Sequence, residues 1–305
     1  MAKTLRLGTR GSPLALTQAR MVAAALGAAH GVAEDGIEIV PIRTSGDRIQ
    51  DRALAEVGGK ALWTKELDRA LHDGDIDFAV HSMKDVETIR PETIVLAAML
   101  PRADVRDRLI GAPSIAALPR GARIGTSSPR RAAQLKRLRP DVVPVLFRGN
   151  VDTRLAKLAA GEAEATLLAA AGLDRLGRTG VGAAIPVEVM LPAPAQGAVG
   201  IETLAANREV RALLGAIDHA ATSACVRAER GLLARLGADC RSPVAALAVF
   251  DGTVLRLRAE ILSEDGSEHV AGDALVAMDA PAEAGALAES LLRDAPMRLR
   301  ILFAG

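Results

Sequence analysis

The chain has 305 residues, half of them apolar, which is enough for two or three domains with sizeable cores. Its 38 basic and 37 acidic residues nearly cancel, which argues against a nucleic-acid-binding or membrane-surface protein and indicates a small-molecule partner. No charged-then-apolar segment opens the chain, and no apolar stretch approaches the roughly 20 residues that span a bilayer, so we expect a cytoplasmic protein.

Apolar runs that alternate with helical periodicity predict an α/β protein. The first strand-like runs lie at 5–8, 37–40, 76–80 and 94–98. A second set lies at 122–125, 142–147 and 165–170. Apolar residues at helical spacing lie between the strands, at Trp63, Leu67, Ala70 and Leu71 and again at Val151, Leu155, Leu158 and Ala159. The two sets predict two α/β units of about a hundred residues each.

The last third of the chain has a different pattern. A Pro-rich stretch at 186–194 leads to a further strand at 196–201, and a helix begins near residue 218. Beyond it, apolar and charged residues alternate along 255–261, and hairpin turn signals stand at Asp251-Gly252 and Asp265-Gly266. We therefore expect three antiparallel strands and a closing helix over about 281–293, which is a small α+β arrangement.

Three strand-to-helix junctions combine a capping residue with nearby arginines. Ser12-Pro13 and Ser128-Pro129 put a hydroxyl at the N-cap and Pro at the first helical position, and Asn150 can cap the helix that follows it. The arginines at these junctions are Arg10, Arg130, Arg131, Arg148 and Arg154. Routine helix starts with solvated arginines are one interpretation. The other, which the position of all three junctions after strands favours, is a set of anion sites for a ligand with several separated carboxylates.

One loop brings several polar groups to the end of a strand. The apolar run at 76–80 leads directly into His81-Ser82-Met83-Lys84-Asp85. Binding and catalytic residues are often found on such loops. From the residues alone, Asp85 is a surface carboxylate, a partner of Lys84 in a salt bridge, or a functional group.

We expect the two cysteines to be free thiols, because a reducing compartment disfavours a disulfide between them. Cys225 stands at helical spacing and is expected to be buried and inert. Cys240 lies in a loop beside Arg241, and it is either an incidental loop residue or a reactive thiol.

Several separated segments of the sequence resemble the signatures of the porphobilinogen deaminase family, and they occur in the family's order. The most specific is the pentapeptide at 81–85. The others lie at 10–15, 57–60, 125–131, 148–155, 171–176, 196–202 and 236–243. The resemblance covers roughly residues 4–245.

The resemblance implies a fold with two periplasmic-binding-protein-like α/β domains and a smaller C-terminal α+β domain. The first domain is expected to comprise 1–100 plus about 196–217, and the second 101–195. The third is expected to comprise 218–305 and to carry the cofactor cysteine.

The resemblance also implies an activity, in which four porphobilinogen molecules are deaminated and joined head to tail into linear hydroxymethylbilane, with release of ammonia. It implies a dipyrromethane cofactor that is attached covalently through Cys240 and serves as the primer. Asp85 is implied as the catalytic group, because every step places positive charge on a pyrrole nitrogen and a fixed carboxylate stabilises that charge. We expect a monomer that uses no metal ion, no nucleic acid and no membrane.

Further residues match positions that hold the acetate and propionate groups of cofactor and substrate in the family. Those expected to bind the cofactor are Ser82, Lys84, Thr126, Ser127, Ser128, Arg130, Arg131 and Arg154. Those expected to bind substrate are Arg10, Ser12, Lys60, Arg148 and Arg175. Most are cations or hydroxyls, which are the groups that carboxylate recognition needs.

The sequence departs from the family's common pattern at a few positions, which are Trp63, Glu87, Pro194, Ala238 and Asp239.

An alternative function, from a different class, is that of a non-catalytic two-lobed protein that binds a polycarboxylate ligand. The presence of both Cys240 and Asp85 favours the enzyme.

Overall fold

The computed structural model describes residues 4–31, 36–44 and 63–303. Its strands are β1 (Leu5–Arg10), β2 (Ile37–Ile42), β3 (Phe78–Ser82), β4 (Ile94–Met99), β5 (Asp107–Ile110), β6 (Arg123–Thr126), β7 (Val143–Leu146), β8 (Ala165–Ala169), β9 (Ala183–Ala184), β10 (Val199–Leu204), β11 (Val244–Phe250), β12 (Leu255–Leu262) and β13 (His269–Val276). Its helices are α1 (Pro13–His30), α2 (Lys65–His72), α3 (Pro129–Leu138), α4 (Val151–Ala159), α5 (Ala170–Arg175), α6 (Arg208–Gly215), α7 (Ala220–Leu236), α8 (Ala284–Asp294) and α9 (Met297–Ile301). Short 3₁₀ turns lie at Met83–Asp85 and Pro281–Glu283. The segment 57–60, which includes Lys60, lies outside the described residues.

The first sheet has the strand order β2-β1-β3-β10-β4. β1 pairs in parallel with β2 and β3, whereas β10 is antiparallel to both of its neighbours. All five strands were predicted, although β3 and β10 begin two or three residues later than expected. Apolar side chains of β1, β3 and β10 pack against α1 in a buried core that includes Leu7, Phe78, Ile201 and Val22.

The second sheet repeats this arrangement, with the order β7-β6-β8-β5-β9. β6 pairs in parallel with β7 and β8, and β5 is antiparallel to β8 and β9. The predicted strands β6, β7 and β8 are confirmed, whereas β5 and β9 were not predicted. β5 is only four residues long and begins with Asp107 and Arg108, so it lacks the continuous apolar run by which the other strands were found.

The third sheet is the antiparallel meander β11-β12-β13. Both predicted hairpins are confirmed, and the closing helix is observed as the 3₁₀ turn followed by α8. Its core combines the inward residues of the sheet with those of α7 and α8, including Leu257, Ile261, Leu232 and Leu287. The predicted α/β class, with two α/β sheets and a smaller C-terminal α+β part, is therefore confirmed.

Two helix predictions need correction in detail. Leu67 and Leu71 are buried on α2 as expected, but Trp63 precedes the helix, and its ring lies against the guanidinium of Arg10. The helix α4 forms as predicted, yet none of its residues is fully buried. Its apolar residues Val151, Leu155 and Leu158 are half-buried, and Ala159 is exposed.

Contacts divide the chain into two compact units. One contains the first sheet and Gly197–Ser223, and the other contains Asp104–Gln196 and the described residues from Ala224 onward. The boundaries of three separate domains stay a prediction. Among the described residues, no helix is both long and apolar enough to cross a membrane.

Candidate functional site

The turn that carries Asp85 is held by a close contact with the neighbouring strand. β3 ends at Ser82, and the chain continues into the 3₁₀ turn with Met83 fully buried. Gly200 on β10 lies directly beside it, and a Cβ at this glycine would lie 2.1 Å from Sδ of Met83. The absence of a side chain at Gly200 therefore allows the turn to approach the sheet.

Asp85 is half-buried and lines a pocket in the first compact unit. Within the described part of the chain, no group donates a hydrogen bond to its carboxylate and no cation pairs with it, so the expected alternative of a Lys84 ion pair is not observed. A partly buried carboxylate without such a partner is available to a ligand.

The same pocket collects groups of complementary chemistry. Arg10, Ser12, Trp63 and Ser82 line it together with Asp85. The guanidinium of Arg10 lies 3.9 Å from the centroid of the Trp63 ring, which is a cation–π contact. A pocket with an aromatic face, a cation, hydroxyls and one open carboxylate suits a flat ring that carries carboxylate groups and develops positive charge.

Gln18 is a site residue that the sequence reasoning missed. It is buried on α1, and its side-chain amide lies 2.8 and 3.0 Å from the hydroxyl of Ser82. The available signal was a polar residue within the apolar stripe of α1, beside Ala19 and Val22. The hydroxyl of Ser12 is also engaged, because it caps α1 by accepting from the backbone N–H of Ala15 at 3.3 Å.

The other two predicted junctions lie in the second compact unit, and both form the expected caps. Ser128 accepts a hydrogen bond from the backbone N–H of Arg131, and Asn150 accepts one from that of Thr153. Gly149 precedes this second cap with a φ of +108°, a conformation that residues with side chains rarely adopt.

A side-chain contact joins these two junctions. The guanidinium of Arg154 donates to Oγ of Ser127 at 3.1 Å and to the carbonyl of Gly149 at 3.0 Å. The hydroxyl of Thr126 accepts from the backbone N–H of Ser128 at 3.1 Å. The structure thus brings Ser127 and Arg154 together, as their shared assignment to one ligand requires.

Arg130 and Arg131 are buried and occupied by a carboxylate of the chain itself. Their guanidinium groups lie 2.9 and 2.7 Å from the two oxygens of Asp107, which is 2% exposed. Gln196 donates to the same carboxylate at 2.9 Å. Burial alone would raise the pKa of Asp107, but the two arginines hold it well below its ordinary value. Each arginine keeps a buried Nε that has no hydrogen-bond partner among the described residues.

The remaining predicted arginines are also withdrawn from solvent. Arg148 is buried just before Gly149, and Arg175 stands partly buried at the end of α5. Burial lowers the pKa of the Arg175 guanidinium. Cations held in such surroundings interact strongly with an incoming anion, because little water screens them.

The two cysteines differ in exposure, and the predicted burial of Cys225 is confirmed. Cys225 is buried on α7, whereas Cys240 is exposed in the loop that follows this helix. Next to it, Asp239 accepts two hydrogen bonds from the guanidinium of Arg241, at 2.6 and 3.0 Å, and one from its backbone N–H. These bonds give the loop a defined shape around an accessible thiol.

Two family models match the chain. The model described as porphobilinogen deaminase, dipyromethane cofactor binding domain, matches residues 5–212. The model described as porphobilinogen deaminase, C-terminal domain, matches residues 223–294.

Two relatives of high sequence identity are named porphobilinogen deaminase. The chain is 64% identical to the porphobilinogen deaminase of Sphingopyxis alaskensis, over 98% of this chain and 96% of that protein. It is 50% identical to the porphobilinogen deaminase of Paracoccus denitrificans, over 96% of this chain and 95% of that protein.

Among solved structures, a periplasmic binding protein from Salmonella typhimurium is similar at 14% identity and a TM-score of 0.42, over 71% of this chain and 92% of that one.

Proposed function

Because this chain belongs to the porphobilinogen deaminase family, we propose that Asp85 is its catalytic carboxylate and that Cys240 carries its dipyrromethane cofactor. The protein is a transferase that deaminates porphobilinogen and joins four molecules of it head to tail into linear hydroxymethylbilane. The observation that supports the assignment of Asp85 is its position in a pocket of cationic, hydroxyl and aromatic groups, where no described residue pairs with its carboxylate.

The residues present fit a covalently attached dipyrrole. The thiol of Cys240 is exposed, so it can form a thioether, whereas Cys225 is buried. When bound, the cofactor supplies the primer to which porphobilinogen units are added. Its acetate and propionate groups require buried cations and hydroxyls, and we propose that these are Ser82, Lys84, Thr126, Ser127, Ser128, Arg130, Arg131 and Arg154.

Asp85 acts by electrostatics and by proton transfer. Loss of ammonia from porphobilinogen leaves an electron-poor pyrrole, and bond formation places positive charge on a pyrrole nitrogen. A carboxylate beside that nitrogen stabilises the charge and accepts a hydrogen bond from the N–H group. It can also relay the proton. The buried Met83 and the close approach at Gly200 fix the turn, so the carboxylate does not need to reorganise during the reaction.

The substrate's own carboxylates need separate partners. We propose Arg10, Ser12, Lys60, Arg148 and Arg175 for this role. The ring of Trp63 holds the Arg10 guanidinium by its face, which orients the cation toward the pocket that Asp85 lines.

The alternative of a non-catalytic binding protein receives no support, because both matching family models and the relatives that are 64% and 50% identical to this chain are porphobilinogen deaminases. We further propose that the protein acts as a cytoplasmic monomer without a nucleic-acid partner. The near balance of 38 basic and 37 acidic residues supports the absence of a nucleic-acid partner.

Intact-mass spectrometry after expression in a porphobilinogen-producing host tests the cofactor assignment. We expect the wild type to carry the mass of two added pyrrole units, and Cys240→Ser to lack this mass and nearly all activity, because a serine hydroxyl does not replace the thiolate. The matched control Cys225→Ser should keep both. A wild-type mass equal to that of the bare polypeptide would refute the attachment.

A further inference from the structure

Arg90 follows Asp85 by five residues and is the centre of a buried ionic cluster in the first compact unit. Its side chain is 10% exposed. Its guanidinium donates to the carboxylates of Asp68, Glu87 and Glu202 and to the hydroxyl of Thr64. One cation thus holds three carboxylates, and none of these residues was singled out for binding or catalysis from the sequence.

On one side, the cluster reaches the strand that leads into the catalytic turn. Nε and Nη2 of Arg90 donate to the two oxygens of Glu202 at 3.0 and 2.9 Å. Glu202 lies on β10, and its carboxylate stands 3.2 Å from Nε2 of His81. His81 belongs to β3, four residues before Asp85, so Arg90 is connected to the start of the turn through one intermediate side chain.

On the other side, the cluster holds the chain just after the turn. Nη1 of Arg90 donates to Glu87 at 2.9 Å and to the hydroxyl of Thr64 at 3.1 Å, and this hydroxyl donates to Glu87 at 2.8 Å. Glu87 stands two residues after Asp85. Thr64 directly follows Trp63, whose ring supports Arg10 in the same pocket.

We propose that Arg90 is a positioning residue, which fixes both ends of the turn that carries Asp85 and couples them to the aromatic wall of the pocket. The inference rests on the proposed role of Asp85. It adds that the placement of this carboxylate depends on a cation that does not line the pocket.

The charges of the cluster explain why one residue has this influence. Burial alone would raise the pKa of Glu202, but His81 and Arg90 hold it at about 2, so the carboxylate stays ionised. Without Arg90, Glu202 and Asp68 lose their shared cation, and Glu87 loses its ion pair with Arg90. Repulsion between the remaining carboxylates then moves the segments on which they stand. A displacement of about 1 Å at a reacting group lowers rates by up to about a hundredfold.

A double-mutant cycle between Arg90→Met and Asp85→Asn tests the inference, with kcat measured for folded, cofactor-loaded enzyme. We expect Arg90→Met to lower kcat about tenfold with a smaller effect on KM, and Asp85→Asn to lower it about a hundredfold. If Arg90 acts through Asp85, the double variant should be no slower than Asp85→Asn. An independent role would multiply the losses to about a thousandfold and would overturn the inference.

Two further variants keep the cycle informative. Glu87→Gln removes the ion pair between Glu87 and Arg90 but leaves Glu202 paired with Arg90, so it should fold even where Arg90→Met does not. We expect kcat to fall about threefold in this variant, and this loss should disappear in the Asp85→Asn background. Arg235→Met breaks an exposed ion pair with Glu289 and should leave kcat unchanged.

A lower melting temperature with normal kcat in Arg90→Met or Glu87→Gln would show a structural role only and would overturn the inference. A normal rate for Asp85→Asn alone would instead overturn the proposed function, and the inference with it.

Discussion

At the scale of single residues, the site depends on what is absent as much as on what is present. Gly200 has no side chain, and Met83 fills the space that a Cβ would take. Among the described residues, none donates a hydrogen bond to Asp85 or forms an ion pair with it, although cations are common in this chain. The close packing at Gly200 therefore fixes a turn whose carboxylate has no partner among the described residues and is available to a ligand.

Replacing Gly200 by Ala should therefore displace the catalytic turn. We expect a loss of about 1 to 3 kcal/mol in the free energy of unfolding, because the new methyl group overlaps Met83 and lies 2.9 Å from a methyl carbon of Leu96. The rate of porphobilinogen consumption should fall as well. Urea unfolding and steady-state kinetics measure the two effects. Gly215→Ala is the matched control, because, apart from its own helix and chain neighbours, no described residue has an atom within 4 Å of the added Cβ. Equal behaviour of the two variants would contradict the role given to Gly200.

At the scale of secondary structure, the sequence predicted the junctions correctly but not what lies beneath them. The Ser-Pro and Asn signals identified three helix starts, because capping is local chemistry that a few adjacent residues determine. The buried partner of Arg130 and Arg131 could not be found in this way. Asp107 lies more than twenty residues away on β5, a strand too short and polar to be predicted, and only the folded sheet brings the three side chains together.

The buried ion pairs of Asp107 with Arg130 and Arg131 should make the stability of the protein depend on pH in acid. The pKa of Asp107 is lower in the folded protein than in the unfolded chain, so its ionised form contributes stability above the unfolded-state value near 3.8 and loses it as the pH falls through the folded-state value. We expect Asp107→Asn to lower the free energy of unfolding by about 3 to 5 kcal/mol at neutral pH, because it leaves two buried guanidinium groups without their counter-ion.

The difference between wild type and Asp107→Asn should shrink as the pH is lowered from about 5 towards about 2. Denaturant unfolding at several pH values measures it. Glu289→Gln, which breaks an exposed ion pair with Arg235, should cost less than about 1 kcal/mol and serves as the control. A difference that stays constant across this range would show that the Asp107 carboxylate is not the group responsible.

At the scale of the whole molecule, the sequence predicted the architecture well because hydrophobic periodicity is repeated in three separate sheets. The candidate groups were found on the loops after strands, where open α/β sheets bind ligands. What could not be predicted is how these groups are supported. Gln18 behind Ser82, Asp107 behind Arg130 and the cluster around Arg90 all depend on contacts between distant parts of the chain. The central claim that remains to be tested is the chemical role of Asp85.

The most direct test compares the turnover of Asp85→Asn and Asp85→Glu, with bound cofactor verified by intact mass. Asp85→Asn keeps the size of the side chain and removes its charge, so folding should survive while the rate of porphobilinogen consumption falls about a hundredfold or more. Asp85→Glu should retain more activity, because the charge remains but is displaced by one methylene. The exposed Asp75→Asn should behave as wild type. A folded, cofactor-loaded Asp85→Asn protein that consumes porphobilinogen at a near-normal rate would contradict the assignment of this carboxylate as the catalytic group.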